Sequence, residues 1–197
     1  MLNIWLIRHG MTEGNKYGRY IGVTDEPLCE EGIKQLKGKT YPIPEMLFVS
    51  PLTRCRETAE ILFSGKLPIV IDALAECNFG EFENKNYLEL SDLPSYQEWV
   101  DSNGKMPFPG GESPDEFKNR SLKAFEEVVK ICMQKQVSEV AIVAHGGTIM
   151  SIMEAFAEEK KEFYQWHVKN GCGYHVSLNR KTDGGDISES FYLLKKL

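Results

Sequence analysis

The sequence predicts an α/β protein: a three-layer sandwich with a mostly parallel central sheet, helices on both faces and a small inserted lid region. Three observations carry this expectation. Short apolar runs alternate with longer stretches of helical spacing, the pattern of strands joined by crossover helices. Two of those runs end abruptly in charged or glycine-rich loops, which is how open α/β sheets present ligand-binding residues at the carboxyl ends of their strands. The chain has 197 residues, 42% of them hydrophobic, enough for one sizeable core, so residues 1–197 read as a single domain with a lid at about 77–112.

The elements follow in order. Asn3 to Ile7 is a buried strand by its apolar content. Residues 30–38 have helical spacing, and Glu45 to Val49 suits a second strand. Ser50-Pro51 supplies an N-cap and a proline at the first helical position for a helix through about Phe63, with Leu52, Cys55, Ala59 and Leu62 on one face. Leu67 to Ile71 is a third strand. From Cys77 to Glu112 the pattern breaks into aromatics, prolines and acids with short helical pieces, which defines the lid. Ser113-Pro114-Asp115-Glu116 is a capping box opening a long helix to about Met133. Glu139 to Ala144 is the next strand, followed by a Gly-Gly turn and a helix to about Ala157. Cys172 to Leu178 and Phe191 to Leu194 close the chain as a hairpin around Asp183-Gly184-Gly185-Asp186.

Composition limits the partners. Against 23 Lys+Arg stand 29 Asp+Glu, a net charge of −6, which argues against a nucleic-acid or anionic-membrane binder. No run of roughly 18 apolar residues is present to cross a membrane. The apolar start, Met1 to Ile7, lacks a basic leader and a cleavage site, so it does not read as a signal peptide. Cys29, Cys55, Cys77, Cys132 and Cys172 are odd in number and form no C-x-x-C pair, a pattern suited to unpaired thiols in a reducing cytoplasm. A homodimer is left open.

The chemistry concentrates at two strand ends. The first strand runs into Arg8-His9-Gly10 and a later one into His145-Gly146-Gly147. A single strand-end histidine commonly does no more than satisfy a loop carbonyl. Two at equivalent ends, each followed by a glycine that admits a ligand to the backbone, are harder to explain that way. Arg54 falls in the first turn of the helix after Ser50-Pro51, where free N–H groups and the helix dipole attract anions. Alone it reads as a surface arginine paired with Glu57. Beside Arg8, His9 and His145 it reads as part of a phosphate cradle.

These residues resemble a family. Leu6-Ile7-Arg8-His9-Gly10-Met11-Thr12-Glu13-Gly14-Asn15 is similar to the R-H-G-x-T-x-x-N signature of the histidine phosphatase superfamily, also called phosphoglycerate-mutase-like. Tyr20 to Leu28 with Glu31-Gly32 resembles its next loop and helix, and Ser50-Pro51-Leu52-Thr53-Arg54 its second arginine motif. Ala75 to Glu83 resembles its acid motif, and Ala144-His145-Gly146-Gly147 its second histidine motif. The resemblance implies a phosphatase with His9 as the nucleophile that becomes a phosphohistidine. It implies that Arg8, Arg54 and His145 hold the phosphoryl oxygens, with Thr12, Asn15, Gly146 and the Gly22 backbone as further substrate contacts. Glu76 would be the general acid. Met11 departs from the polar residue common after R-H-G, and Asn84 stands where a glycine often follows the acid motif.

The physics agrees with that assignment. Phosphoryl transfer is mostly positioning and charge stabilisation. Imidazole attacks only through an unprotonated nitrogen, so neighbouring cations that keep His9 neutral assist it, and its other nitrogen should donate to a carbonyl or carboxylate. A metal reading, with His9, His145, Glu76 and another carboxylate around zinc or manganese, is disfavoured because the two arginines already fill the charge role. No cofactor is implied; the expected partner is a small-molecule phosphate ester. A catalytically silent phospholigand-binding module is the non-enzyme alternative, and the presence of the whole catalytic set argues against it.

Other residues carry weaker signals. His167 and His175 lie outside the motifs, and Cys55 and Cys77 read as small apolar fillers. Tyr87, Tyr96, Trp99 and Phe108 suit either a substrate pocket or the lid's own core. Between Cys77 and Glu112 stand seven acids and two lysines, which points to a monophosphate ester with a large, weakly charged leaving group rather than a bisphosphoglycerate-primed mutase. Phe108-Pro109-Gly110-Gly111-Glu112-Ser113, with Phe117 and Arg120, resembles the P-G-G-E-S stretch of α-ribazole phosphatases and related small phosphatases. Those act on α-ribazole 5′-phosphate in assembly of the cobalamin nucleotide loop, and the lid aromatics would stack on a benzimidazole base. A broad sugar or nucleotide phosphatase and a phosphoglycerate mutase are the alternatives.

Overall fold

The computed structural model describes residues 1–178 and 191–196. Among them six strands form one sheet: β1 (Leu2–Arg8), β2 (Met46–Val49), β3 (Ile69–Val70), β4 (Glu139–Ala144), β5 (Gly173–Leu178) and β6 (Phe191–Lys196). Their order is β3-β2-β4-β1-β5-β6. The first four in that order run parallel, and β5 and β6 add an antiparallel edge. The helices are α1 (Glu13–Lys16), α2 (Glu30–Lys37), α3 (Thr53–Leu62), α4 (Tyr87–Leu90), α5 (Pro94–Asp101), α6 (Pro114–Lys135) and α7 (Gly146–Phe156).

Alternation along the central strands sets the layers. Ile4 and Leu6 of β1, with Val140 and Ile142 of β4, join Phe125 and Val128 of α6 and Ile149 of α7 in one core. Ile7, Ala141 and Val143 point the other way, against Cys55 and Ala59 of α3. Register then fixes the site. Arg8 pairs with Ala144 and Val49 with Val143, so the chain leaves three neighbouring strands at one level, through His9, His145 and Ser50.

The predicted class holds, and several boundaries move. The Ser50-Pro51 start of α3 is displaced to Thr53. Ser50 does not cap it, because its hydroxyl lies 2.6 Å from His145 Nε2; the Asp25 carboxylate instead accepts from the Thr53 N–H and hydroxyl at 2.7 and 2.9 Å. The strand expected over Leu67 to Ile71 shrinks to two residues, since it lies at the sheet edge with Leu67 93% exposed. No turn separates β4 from the next helix: α7 begins at Gly146 with His145 in the N-cap position. The Ser113 capping box is present, with Pro114 opening α6 as expected, and the helix runs two residues past Met133. Strands β5 and β6 pair as the expected hairpin, while Asp183 to Asp186 lie outside the described residues.

Residues 77–112 form 3-10 and short helical pieces around a cluster of Cys77, Phe82, Leu90, Phe108 and Phe117. Tyr96 and Trp99 pack on that cluster, whereas Tyr87 is exposed. Asn84 takes a left-handed conformation, φ 57°, which a short amide side chain tolerates; the departure from glycine therefore leaves the loop in place. No described helix is long and apolar enough to cross a membrane, and all five cysteines are free.

Gly32 shows how α2 seats the segment that follows β1. A Cβ there would collide with the Met11 carbonyl, so α2 lies directly on the backbone after His9. Gly32→Ala should cost about 1–3 kcal/mol through overpacking. That appears in thermal denaturation as about 2–4 °C per kcal/mol. An unchanged melting temperature would show that the contact relaxes freely.

Candidate active site

His9 is buried, and its Nδ1 lies 2.7 Å from the Gly10 carbonyl. A carbonyl only accepts, so Nδ1 carries the proton and Nε2 keeps its lone pair. The Gly10 N–H is itself held by the Thr58 hydroxyl on α3, at 2.9 Å. Burial first, then Arg54 and Arg8, push the His9 pKa well below the ordinary histidine range. His145 meets His9 edge to face, ring centroids 5.2 Å apart, and burial with Arg54 beside it depresses its pKa as well. Both imidazoles are neutral at pH 7.

The two arginines are held by backbone. Arg54 is fully buried, donating to the carbonyls of Thr24 and Gly22 at 2.8 Å and of Ile21 at 3.3 Å. Arg54 is thus not the surface arginine paired with Glu57 that it reads as in isolation; Glu57 accepts from the Leu28 N–H at 2.7 Å. Arg8 donates to the Val168 carbonyl at 2.8 Å and lies 3.4 Å from His167 Nε2. The Nε groups of both arginines are buried without a partner among the described residues. Gly146 opens α7 against the Arg8 guanidinium.

Glu76 sits 8% exposed across from them. Its carboxylate accepts from the Cys77 N–H at 3.0 Å and the Gly147 N–H at 3.1 Å. Burial raises its pKa, and these hydrogen bonds and the arginines only partly offset the rise. A side chain at Gly147 would meet Glu76 Oε1 at 2.5 Å and the Phe117 ring at 2.9 Å, so glycine lets the acid approach the helix start. Arg120 fixes the backbone carrying Glu76: it donates to the carbonyls of Ala73 and Ala75 at 2.9 Å and grips Glu112 with both arms.

Arg8, His9, Arg54, Glu76 and His145 thus converge; the remaining candidates do so only in part. Thr12 and Asn15 spend their side chains on each other as the capping box of α1, and Asn15 Oδ1 also accepts from Asn170 at 2.9 Å. The Gly22 N–H does not face the site. It donates to Glu83, whose carboxylate also takes the N–H groups of Val23, Thr24 and Phe79 and the Thr24 hydroxyl. Glu83, Ser50 and Asn170 were not singled out from sequence; Glu83 and Ser50 stood inside matched motifs, which was the available signal. Among the described residues no three His, Cys, Asp or Glu side chains converge as metal ligands.

Beside Glu76 a cavity of about 510 Å³ opens, walled by Tyr20, Phe79, Trp99, Phe108 and Phe117. Trp99 and Phe108 therefore serve both the lid core and the cavity. The predicted acidic filter is not built that way: none of the seven lid acids lines this cavity. Glu83 clamps residues 22–24, Glu89 caps α4 and pairs with Arg19, and Glu112 is bound to Arg120. Cys55 and Cys77 are buried, and burial pushes the Cys55 thiol up to about 12, consistent with inert fillers.

Glu83→Gln removes the charge that gathers these N–H groups. It should weaken phosphate binding by about tenfold, since charged hydrogen bonds each contribute about 1.5–3 kcal/mol. In an Arg54→Gln background the same change should add little, because its effect travels through Arg54. Full additivity in that double-mutant cycle would show a purely structural role.

The comparisons agree with this geometry. Residues 4–186 match the model of the histidine phosphatase superfamily (branch 1). The adenosylcobalamin/alpha-ribazole phosphatase of Salmonella typhimurium is 30% identical, across all of this chain and 96% of its own length. The metal-independent phosphoserine phosphatase of Arabidopsis thaliana is 29% identical over 76% of this chain and 66% of its own. The crystal structure of the alpha-ribazole phosphatase from Shigella flexneri matches with a TM-score of 0.77 and 25% identity, over 91% of this chain and 92% of that one. Since the match spans both strand-end histidines and the sheet that carries them, the chain belongs to the histidine phosphatase superfamily and is a phosphatase.

Proposed function

We propose that the chain is a phosphomonoester hydrolase working through a phosphohistidine, without a metal ion. The observation that carries this is the His9 imidazole, whose Nδ1–H is committed to the Gly10 carbonyl while Nε2 stays unprotonated beside the buried Arg54 and the half-buried Arg8. His9 Nε2 attacks phosphorus as the ester P–O bond breaks, and Glu76 gives its proton to the leaving oxygen. Water then attacks the phosphohistidine, gives its proton to Glu76, and the N–P bond breaks to release phosphate. Arg8, Arg54 and His145 hold the phosphoryl oxygens, supplying the charge a metal would otherwise bring.

The substrate we favour is α-ribazole 5′-phosphate, in the assembly of the cobalamin nucleotide loop and in the cytoplasm. The aromatic cavity wall suits a flat, weakly charged base, and the Salmonella relative is named for that substrate. Ranking kcat/KM for α-ribazole 5′-phosphate, phosphoserine, 3-phosphoglycerate and simple sugar phosphates tests the choice, with the first expected to lead. Equal turnover would reduce the assignment to a broad phosphatase. Phosphoryl exchange primed by bisphosphoglycerate would replace it with a mutase.

The active form needs His9 neutral and Glu76 protonated, and their pKa values are displaced toward each other's side, His9 down and Glu76 up. Activity should therefore persist at pH values below the ordinary histidine range, falling only when His9 protonates. The alkaline limb reports loss of the Glu76 proton, so it should be present for alkyl phosphates and weak for nitrophenyl phosphate. Glu76→Gln should slow alkyl esters by about 10²–10⁴-fold and spare the aryl ester. Equal losses on both would remove Glu76 from the acid role. Activity should also survive exhaustive chelation.

A further inference from the structure

A second cavity, about 890 Å³, shares Arg8 and His167 with the first but has a different character. Its cations are Arg8, Arg19, Lys39 and Lys169, and no Asp or Glu lines it. That is unusual in a chain of net charge −6, where a groove of this size would ordinarily include acids. Arg19 is occupied, pairing with Glu89 at 3.0 Å. Lys39 and Lys169 are not: neither forms an ion pair among the described residues, and the Lys39 ammonium rests 3.2 Å from the Cys172 sulfur. Uncompensated cations lining one concavity concentrate anions. Because Arg8 borders both cavities, an anion in the groove lies next to the phosphoryl site. The leaving oxygen departs toward Glu76, so a second phosphate on the substrate reaches the groove only if the leaving group turns back past Arg8.

We infer that this groove is a second anion subsite, for phosphate groups other than the one being transferred. Ammonium groups on flexible stems suit closely spaced phosphate charges, whether from an inorganic polyphosphate or from a second phosphate on a larger ester. The subsite does not depend on the proposed reaction, since neither lysine takes part in it.

The test titrates tripolyphosphate calorimetrically into enzyme saturated with vanadate, which fills the His9 site, and repeats it without vanadate. Lys39→Gln/Lys169→Gln should bind tripolyphosphate roughly tenfold more weakly, the sum expected for two exposed charge contacts. Its turnover of p-nitrophenyl phosphate should be unchanged, and Lys39→Arg/Lys169→Arg should keep the affinity. Citrate should compete poorly, and added salt should weaken binding. Two kinetic arms separate the sources. A raised KM for fructose 1,6-bisphosphate but not fructose 6-phosphate in the Gln variant identifies the substrate's own second phosphate. A tripolyphosphate effect on p-nitrophenyl phosphate turnover, lost in that variant, identifies a separate anion. Equal tripolyphosphate affinity in wild type and the Gln variant overturns the subsite. A missing phosphoenzyme with groove binding intact would overturn the proposed reaction instead.

Discussion

Holding two guanidinium groups in one site, Arg54 fully buried and Arg8 half-buried, is the constraint that the carboxyl end of the sheet is arranged to meet. Charges placed in low dielectric need compensation, and an acid paired directly with each arginine would be the simplest source. It would also cancel the field that adds to burial in keeping His9 and His145 neutral. The chain instead surrounds Arg54 with the carbonyls of Ile21, Gly22 and Thr24 and ties Arg8 to that of Val168. Dipoles take up terminal N–H groups of both arginines while leaving the net positive charge intact. Glu83 holds the same loop from its other side, gathering the N–H groups of Gly22, Val23 and Thr24.

That arrangement explains what could be read from sequence. Strand ends and glycines are local, and they placed Arg8, His9, Arg54 and His145 around one point; Glu76 joined them only through the resemblance of Ala75 to Glu83 to the family's acid motif. The register of β1 against β4 brings the two histidines level, a consequence of parallel pairing that any α/β reading contains. What stayed hidden was partner choice. Ser50 has the chemistry of an N-cap, and nothing nearby in the chain announces a histidine 95 residues away as its competitor. Asn170 lies in a segment with no pattern, yet it reaches the His9 carbonyl and Asn15.

Charge counting in the lid failed for a related reason. A sum over residues 77–112 assumes that side chains face the ligand, whereas polar groups in short helices and tight turns are first claimed by unsatisfied backbone. Glu89 and Glu112 are spent in this way, one on the start of α4 and one on the Asn78 N–H and Arg120. Aromatic residues have no such obligation, which is why Phe79, Trp99 and Phe108 are left to form the wall.

The absence of any loop between β4 and α7 carries a consequence for divergence. Ala144 ends one element, Gly146 begins the next with His145 as its N-cap, and Glu76 accepts from the Gly147 N–H in that first turn. The two strand-end histidines and Glu76 are therefore spaced by backbone contacts. The opposing wall is side chain only and hangs on an insertion with its own small core. New leaving groups would be acquired there, by exchanging one ring for another, while the reacting end stays fixed. Relatives named for substrates as unlike as a ribazole ester and phosphoserine are what such a division of labour would produce.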